Sequence, residues 1–305
     1  MAAYLTRRLV QSLLVLVAVS MLTFALIYLA GDPVQALVPL DASPEDAENI
    51  RRGFGLDRPI PVQYVKFLER AIQGDLGQSF KYRISSMELV LQRLPHTMRL
   101  AAASILLAVV VSIPLGVLAA TRGGGILDYV AMGFSMLTIS TPSFWLGILL
   151  ILLFADVWRL LPASGTGSPG HLILPAITLS AYSIGLVTRL VRATVADILR
   201  QDYITTARAK GLGPAGVNYR HALRNGLIPT VTVLGLQFGT LLGGSVVVET
   251  VFAWPGLGWL LVQAINSRDL PLVRAIVLVV SACFVLINLA VDLLYSFLDP
   301  RIRYA

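Results

Sequence analysis

A single cysteine, Cys283, stands in a chain of 305 residues, and it falls inside a long apolar run. One thiol can build neither a disulfide framework nor a thiolate metal site within the chain. The three histidines, His96, His171 and His221, are scattered, and none repeats at the His-x-x-x-His spacing that places metal ligands on one helical face. No metal site is expected. The Gly-x-x-x-x-Gly-Lys-Ser/Thr loop that cradles nucleotide phosphates is also missing, so the chain is not expected to hydrolyse ATP itself. Charge is scarce: Asp, Glu, Lys and Arg make up 13% of the residues against 56% hydrophobic. That balance excludes an ordinary soluble domain and indicates a polytopic membrane protein.

Six apolar stretches are present, near Leu9 to Ala30, Leu100 to Ala120, Tyr129 to Phe154, Leu172 to Val191, Thr230 to Val251 and Ala275 to Leu298. Each supplies roughly the twenty helical residues needed to cross a hydrocarbon core of about 30 Å. The first follows Thr6-Arg7-Arg8, but its length and Tyr28, which spoils a small-x-small cleavage site before Gly31, favour a retained anchor over a signal peptide. The formal net charge of +7 is placed asymmetrically. Arg7, Arg8, Arg122, Arg301 and Arg303 join the basic residues of 189–229 on one face, whereas the short opposite loops hold Arg159, Arg268 and Arg274. The bias puts both termini in the cytoplasm and assigns the excess charge to retained loops, not to nucleic acid.

With that orientation, residues 31–98 form an external subdomain. It is rich in turn formers (Gly31-Asp32-Pro33, Arg58-Pro59-Ile60-Pro61, Gly74-Asp75-Leu76-Gly77) around an amphipathic stretch from Val62 to Ile72. It is too small for an independent enzyme; a lid or docking surface suits it, and so does a plain structural loop.

Within the spans, Gly235, Gly239 and Gly243 recur every fourth residue and offer one helix face to a closely approaching backbone, a helix-packing or permease interface. Ser140, Ser183, Gln237, Thr240 and Asn288 are neutral polar candidates for lining a wet pathway, interhelical hydrogen bonding being the alternative. Glu249 and Asp292 are carboxylates near span ends, either functional or simply reaching water. Ser140-Thr141-Pro142-Ser143 lacks a well-placed histidine base and reads as a polar kink at Pro142.

The segment from Arg189 to Pro229 is basic and weakly apolar between hydrophobic flanks. Asp202 suits an N-cap, Tyr203 to Lys210 two helical turns, Gly211 the left-handed residue past a helix end, and Pro214 the first position of a second helix toward Asn225. Ile204, Ala207 and Gly211 share one narrow face that can enter a groove on another protein. A connector that merely caps the bundle is the alternative. A DNA-binding helix-turn-helix fits poorly, since membrane spans tether the pair at both ends.

Several motifs are specific together: Gly31-Asp32-Pro33, Leu56-Asp57-Arg58-Pro59, the run Gly74 to Ser79, the run Asp202 to Leu212, His221 to Asn225, Trp254 to Gly258, and the ending from Asn288 to Tyr304. On these, over its whole length, the chain resembles the membrane permease subunits of bacterial ABC importers, in the dipeptide, oligopeptide, glutathione and nickel branch. The resemblance implies an all-α membrane protein with the six-helix type I importer transmembrane domain. Its parts would be an N-terminal helix over 1–30, an external subdomain over 31–93, a permease domain over 94–298 with its coupling loop at 194–229 between the fourth and fifth spans, and a cytoplasmic tail over 299–305. Thr205, Thr206 and Ala207 stand where the family has Glu-Ala-Ala, Gly211 matches its glycine, and His221-Ala222-Leu223-Arg224 replaces Ile-x-Leu-Pro. Thr205, Thr206, Ala207, Arg208, Lys210, Gly211 and Leu212 are thereby implied to couple to an ATPase.

The implied partners are a second homologous permease, two ATP-binding subunits or one two-domain ATPase, an extracytoplasmic substrate-binding protein and membrane lipid, with no nucleic acid. The chain itself would hold no cofactor; ATP and Mg would sit in the partner subunits. The implied place is the bacterial plasma membrane. The expected cargo is short peptides, with glutathione, haem or nickel as alternatives on the same machinery. An ATP-independent channel or secondary transporter is the alternative of another class, and it would call for internal repeats and midplane charges that the sequence does not clearly display.

Overall fold

Aliphatic runs nearly free of charge can satisfy their backbone in lipid only as helices, and the computed structural model is built accordingly. It describes residues 2–29, 45, 48, 51–52 and 57–298. Within them lie α1 (Ala2–Leu29), α2 (Ile60–Ile72), α3 (Ser86–Thr121), α4 (Ile126–Ser140), α5 (Ser143–Leu150), α6 (Gly170–Leu199), α7 (Asp202–Ala209), α8 (Arg224–Val251), α9 (Leu257–Asn266) and α10 (Leu270–Leu298). Wide π-helical turns extend α5 over Ile151–Val157 and lead into α8 over Gly216–Leu223. The expected motif Gly31-Asp32-Pro33 and the tail at 299–305 lie outside the described residues.

Among the described residues, five helices are long and apolar enough to cross a membrane, and the sixth expected span is broken. Between Tyr129 and Phe154 the sequence suggests one kinked helix; the structure has α4 and α5 bent by 104°. Pro142 supplies no amide hydrogen and forces the residue before it out of the helical region, and Thr141 is extended (φ −83°, ψ 122°). Thr141 satisfies the end of α4 twice, giving its N–H (3.0 Å) and its hydroxyl (2.7 Å) to the Leu137 carbonyl. A second difference concerns α3. Its 36 residues are far more than the roughly twenty a hydrocarbon core takes, because the helix begins at Ser86 and not near Leu100. The domain boundary expected at 93–94 therefore falls inside one helix.

The chain divides into two units, Met1–His96 with Gly256–Val285, and Thr97–Pro255 with Leu286–Ala305. In the first, Phe24, Phe67, Leu89, Val90, Leu260, Leu272 and Ile276 share a core. Phe24 of α1 packs edge-on to Tyr64 of α2 at 5.4 Å, and the Tyr64 hydroxyl meets Ser20 at 2.7 Å. The Arg274 guanidinium lies 4.1 Å from the Phe67 ring centre, a cation over a π-face.

The second unit is built around α6, which is buried on nearly every side. Small residues permit this: a methyl group at Gly185 would stand 2.5 Å from the Ser135 carbonyl of α4, and one at Gly116 of α3 would stand 2.9 Å from the Thr188 carbonyl. Leu100, Leu174, Leu179, Val248, Phe252 and Trp254 form one core, and Val117, Val187, Val191, Val195, Ile198, Ile204, Val217 and Ala222 another.

Candidate functional site

The basic segment folds as a helical corner between α6 and α8. Gln201 is extended and Asp202 opens α7, so the expected cap moves by one residue: Gln201 occupies the cap position without a side-chain bond, and Asp202 sets its charge against the positive end of the helix. Arg208 and Lys210 complement the other end. Gly211 takes φ +81°, the left-handed conformation its sequence position suggests, and its N–H reaches the Arg208 carbonyl at 3.0 Å. Helical turns resume at Pro214 and continue without a loop into α8. Asn225 Nδ2 donates to the Tyr203 hydroxyl at 2.9 Å and closes the corner.

Of the face that the sequence offers to a partner, Ile204 and Ala207 are turned inward and Gly211 stays exposed. Ile204 is fully buried and Ala207 is 7% exposed, both packed by this chain's own residues, Ile204 in the core with Val195, Ile198, Val217 and Ala222. The reason is hydrophobic: these two carry the helix's apolar face, and the chain buries it itself. Thr205, Thr206, Arg208, Lys210 and Gly211 remain exposed and Leu212 is half-buried, so α7 presents a polar and basic surface.

Just before this corner, Arg192 of α6 holds Asp128 of α4 with two parallel bonds, Nε to Oδ1 at 2.5 Å and Nη2 to Oδ2 at 2.6 Å. The Gly124 N–H adds a third at 3.0 Å. Sequence reasoning sees Arg192 only as part of the charge bias and passes over Asp128; an acid opening one span and a base closing another is the pattern that could have found the pair.

At the break between α4 and α5 lies a cavity of about 440 Å³. Its polar lining is Thr141, Ser143, Thr178, Tyr182, Gln237 and Thr240, with Leu146, Leu179 and Leu241 among the apolar walls. Gln237 Nε2 donates to Ser183 Oγ at 3.3 Å, and Thr240 Oγ1 donates to Gln237 Oε1 at 3.2 Å. Of the pathway candidates, Gln237 and Thr240 line the cavity and Ser183 stands behind them. Ser140 is exposed beside the break without lining it, and Asn288 lies elsewhere on α10, its Oδ1 buried with no hydrogen-bond partner among the described residues. Thr141 and Ser143 belong to the polar kink that the sequence marks at Pro142, without a pathway role there; Thr178 and Tyr182, one turn apart on α6, carry no comparable signal.

The glycine stripe of α8 is divided. A side chain at Gly235 would collide with Val291 of α10, and Gly239 is buried, but Gly243 is exposed with nothing within 4 Å of an added methyl. Glu249 does not reach water: it is fully buried and accepts the Thr97 hydroxyl at 2.8 Å.

Comparison with known proteins gives consistent likenesses. The sequence matches the family profile described as "Binding-protein-dependent transport system inner membrane component" over residues 112–304, and the corresponding N-terminal profile over residues 1–101. It is 40% identical over 313 residues to the probable peptide ABC transporter permease protein y4tP of Sinorhizobium fredii, covering 100% of both chains. It is 38% identical to the dipeptide transport system permease protein DppB of Escherichia coli K12, over 100% of this chain and 99% of that one. It is 42% identical to the glutathione transport system permease protein GsiC of Pectobacterium atrosepticum, over 100% of both. In fold it is similar to two inward-facing structures of the MetNI methionine ABC transporter, with TM-scores of 0.61 and 0.57 at 20% and 21% identity, each covering 70% of this chain and 97% of the other.

Proposed function

Because the chain belongs to the family of binding-protein-dependent transport system inner membrane components, the permease subunits of ABC importers, we propose that it forms half of a translocation pathway for short peptides. It is a multi-pass membrane protein with the all-α fold of a type I importer permease. A second, related permease supplies the other half. Two ATP-binding subunits hydrolyse ATP with Mg and push on α7, and an extracytoplasmic binding protein delivers cargo to the outer mouth. The positive-inside bias puts both termini and α7 in the cytoplasm of a bacterial cell.

The observation that carries the cargo reading is the cavity at the helix break. It is lined by hydroxyls and one carboxamide and by no carboxylate, ammonium or guanidinium group. Gln237 can both donate to and accept from a peptide bond, and neutral groups tolerate varied side chains. Irregular backbone at membrane depth is tolerated where it faces such a cavity, which fits the break at Pro142. The full-length identity to peptide permeases supports the same cargo. Glutathione, itself a tripeptide, is the second reading, supported by the 42% identity to a glutathione permease.

Coupling follows from α7. Thr205, Thr206, Arg208, Lys210 and Gly211 form its exposed side, which is the side an ATPase groove can receive. Ala207 acts from beneath, as packing that passes the push into the bundle. Nucleotide shifts the balance between inward and outward packings by binding one of them better. The test is ATPase activity of the gently purified complex in lipid, with the binding protein and a panel of dipeptides, tripeptides, glutathione, haem and nickel. Stimulation by the peptides is expected; purification with no ATPase attached would remove the importer reading.

A further inference from the structure

Asp269 is fully buried at the turn between α9 and α10, and it organises a loop far away in sequence. Its Oδ2 accepts the Ser79 hydroxyl and the Lys81 N–H at 3.2 Å, and its Oδ1 accepts the Phe80 N–H at 3.1 Å and the Leu272 N–H at 3.3 Å. Ser79 Oγ receives the Tyr82 N–H at 3.0 Å, and the Tyr82 hydroxyl donates to Gln263 at 3.2 Å. The loop closes on itself as well, through an antiparallel bridge between Gln78 and Ser85. Charge-assisted bonds to one buried carboxylate thus fix residues 79–82 against 263–269 as a single platform.

What the platform displays is positive charge. Lys81, Arg83 and Arg268 are all exposed, and none has an ion pair among the described residues. Arg83 and Arg268 also hold left-handed backbones, φ 56° and 53°, where glycine would rest without steric cost. Strained residues persist where the surroundings over-determine them, and they gather at functional positions. The exposed acids nearby in sequence, Asp75 and Glu88, accept the Gly77 N–H at 2.9 Å and the Gln92 Nε2 at 3.3 Å, and neither pairs with these three bases among the described residues.

We propose that Lys81, Arg83 and Arg268 form the docking surface for an acidic face of the extracytoplasmic binding protein. The proposal rests on the orientation given above, with this end of the unit outside. A protein partner fits better than lipid headgroups because the charges sit on a platform fixed by Asp269, and a fixed constellation selects register in a way that mobile headgroups do not need.

The test uses the whole transporter in nanodiscs of neutral lipid, measuring affinity for the purified binding protein over a salt series. Lys81→Glu, Arg83→Glu and Arg268→Glu combined should weaken binding by roughly tenfold or more and flatten its salt dependence. The pair Arg83→Gly and Arg268→Gly separates docking from folding: binding should weaken while the unfolding temperature stays level or rises. Wild-type affinity and salt slope in the charge-reversed variant would overturn the proposal, as would an effect seen only when anionic lipid is present. Orientation is read separately, by labelling Lys81→Cys in a Cys283→Ser background with an impermeant thiol reagent on spheroplasts stripped of their outer layers. Labelling that appears only after the membrane is opened overturns both the orientation and the docking; unchanged binding with external labelling overturns the docking alone.

Discussion

Arg192 and Asp128 are 64 residues apart in sequence and are joined by two parallel bonds of 2.5 and 2.6 Å that bind the end of α6 to the start of α4. The carboxylate is nearly buried, whereas the guanidinium keeps 35% of its surface. Removing Arg192 leaves a nearly buried carboxylate with the Gly124 N–H alone, whereas removing Asp128 leaves a guanidinium that water can reach. Arg192→Ala should cost about 2 kcal/mol and Asp128→Ala less, and the double variant should cost less than the sum of the two. Arg192→Lys should recover only part of the loss, because an ammonium cannot make the fork. Thermal unfolding of the purified transporter checks this, and additive losses would show that the pair is not coupled.

Gly211→Pro should abolish peptide uptake while the complex still assembles. Proline fixes φ near −65° where +81° is needed and removes the N–H given to Arg208. Gly211→Ala should be milder, about 1 kcal/mol of local strain. Uptake in vesicles beside co-purification of the ATPase separates the two effects; normal uptake by the proline variant would free Gly211 from any coupling role.

Gly235 and Gly243 should respond differently to the same change. Gly235→Leu drives a side chain into Val291 and should destabilise the chain by about 1–3 kcal/mol. Gly243→Leu meets nothing within the described chain, so the fold should survive and any loss should appear as failure to pair with the second permease. Native electrophoresis of the assembled transporter and unfolding of the isolated subunit provide the two readouts.

Gln237→Leu should reduce peptide-stimulated ATPase by about tenfold, since it replaces a group able to donate and accept at the cavity wall. Gln237→Glu should shift preference toward cargo carrying an additional positive charge. Competition between lysine-containing and neutral dipeptides measures that preference, and unaltered selectivity would place Gln237 outside the pathway.

The spans, the corner at 200–225 and the left-handed Gly211 were legible because each is a local matter: an apolar run long enough to cross, a proline at a helix start, a glycine past a helix end. The direction α7 faces was not. Ile204 and Ala207 mark an apolar stripe, but a stripe does not reveal whether the chain or a partner covers it, and here Ile198, Val217 and Ala222 belong to the same core as Ile204. Pro142 announced a disturbance but not its size, which depends on Thr141 being extended. The Asp128 to Arg192 pair and the loop gathered by Asp269 depend on partners brought together only by the fold. Of the expected pathway, Gln237, Thr240 and Ser183 converge because they lie on facing turns of α8 and α6, and Asn288 does not join them because α10 runs elsewhere.

The helix carrying Gln237 has no slack at its lower end. From Pro214 the π-helical turns pass into α8 with helical backbone throughout, and about 21 Å of rod separates Leu223 from Gln237. Pro229 is the place along it where a backbone hydrogen bond is structurally unavailable. On the proposed coupling role, a push on the corner meets an unbroken helical path toward the cavity, with Gly226 against Val195 and Gly235 against Val291 as its close contacts along the way.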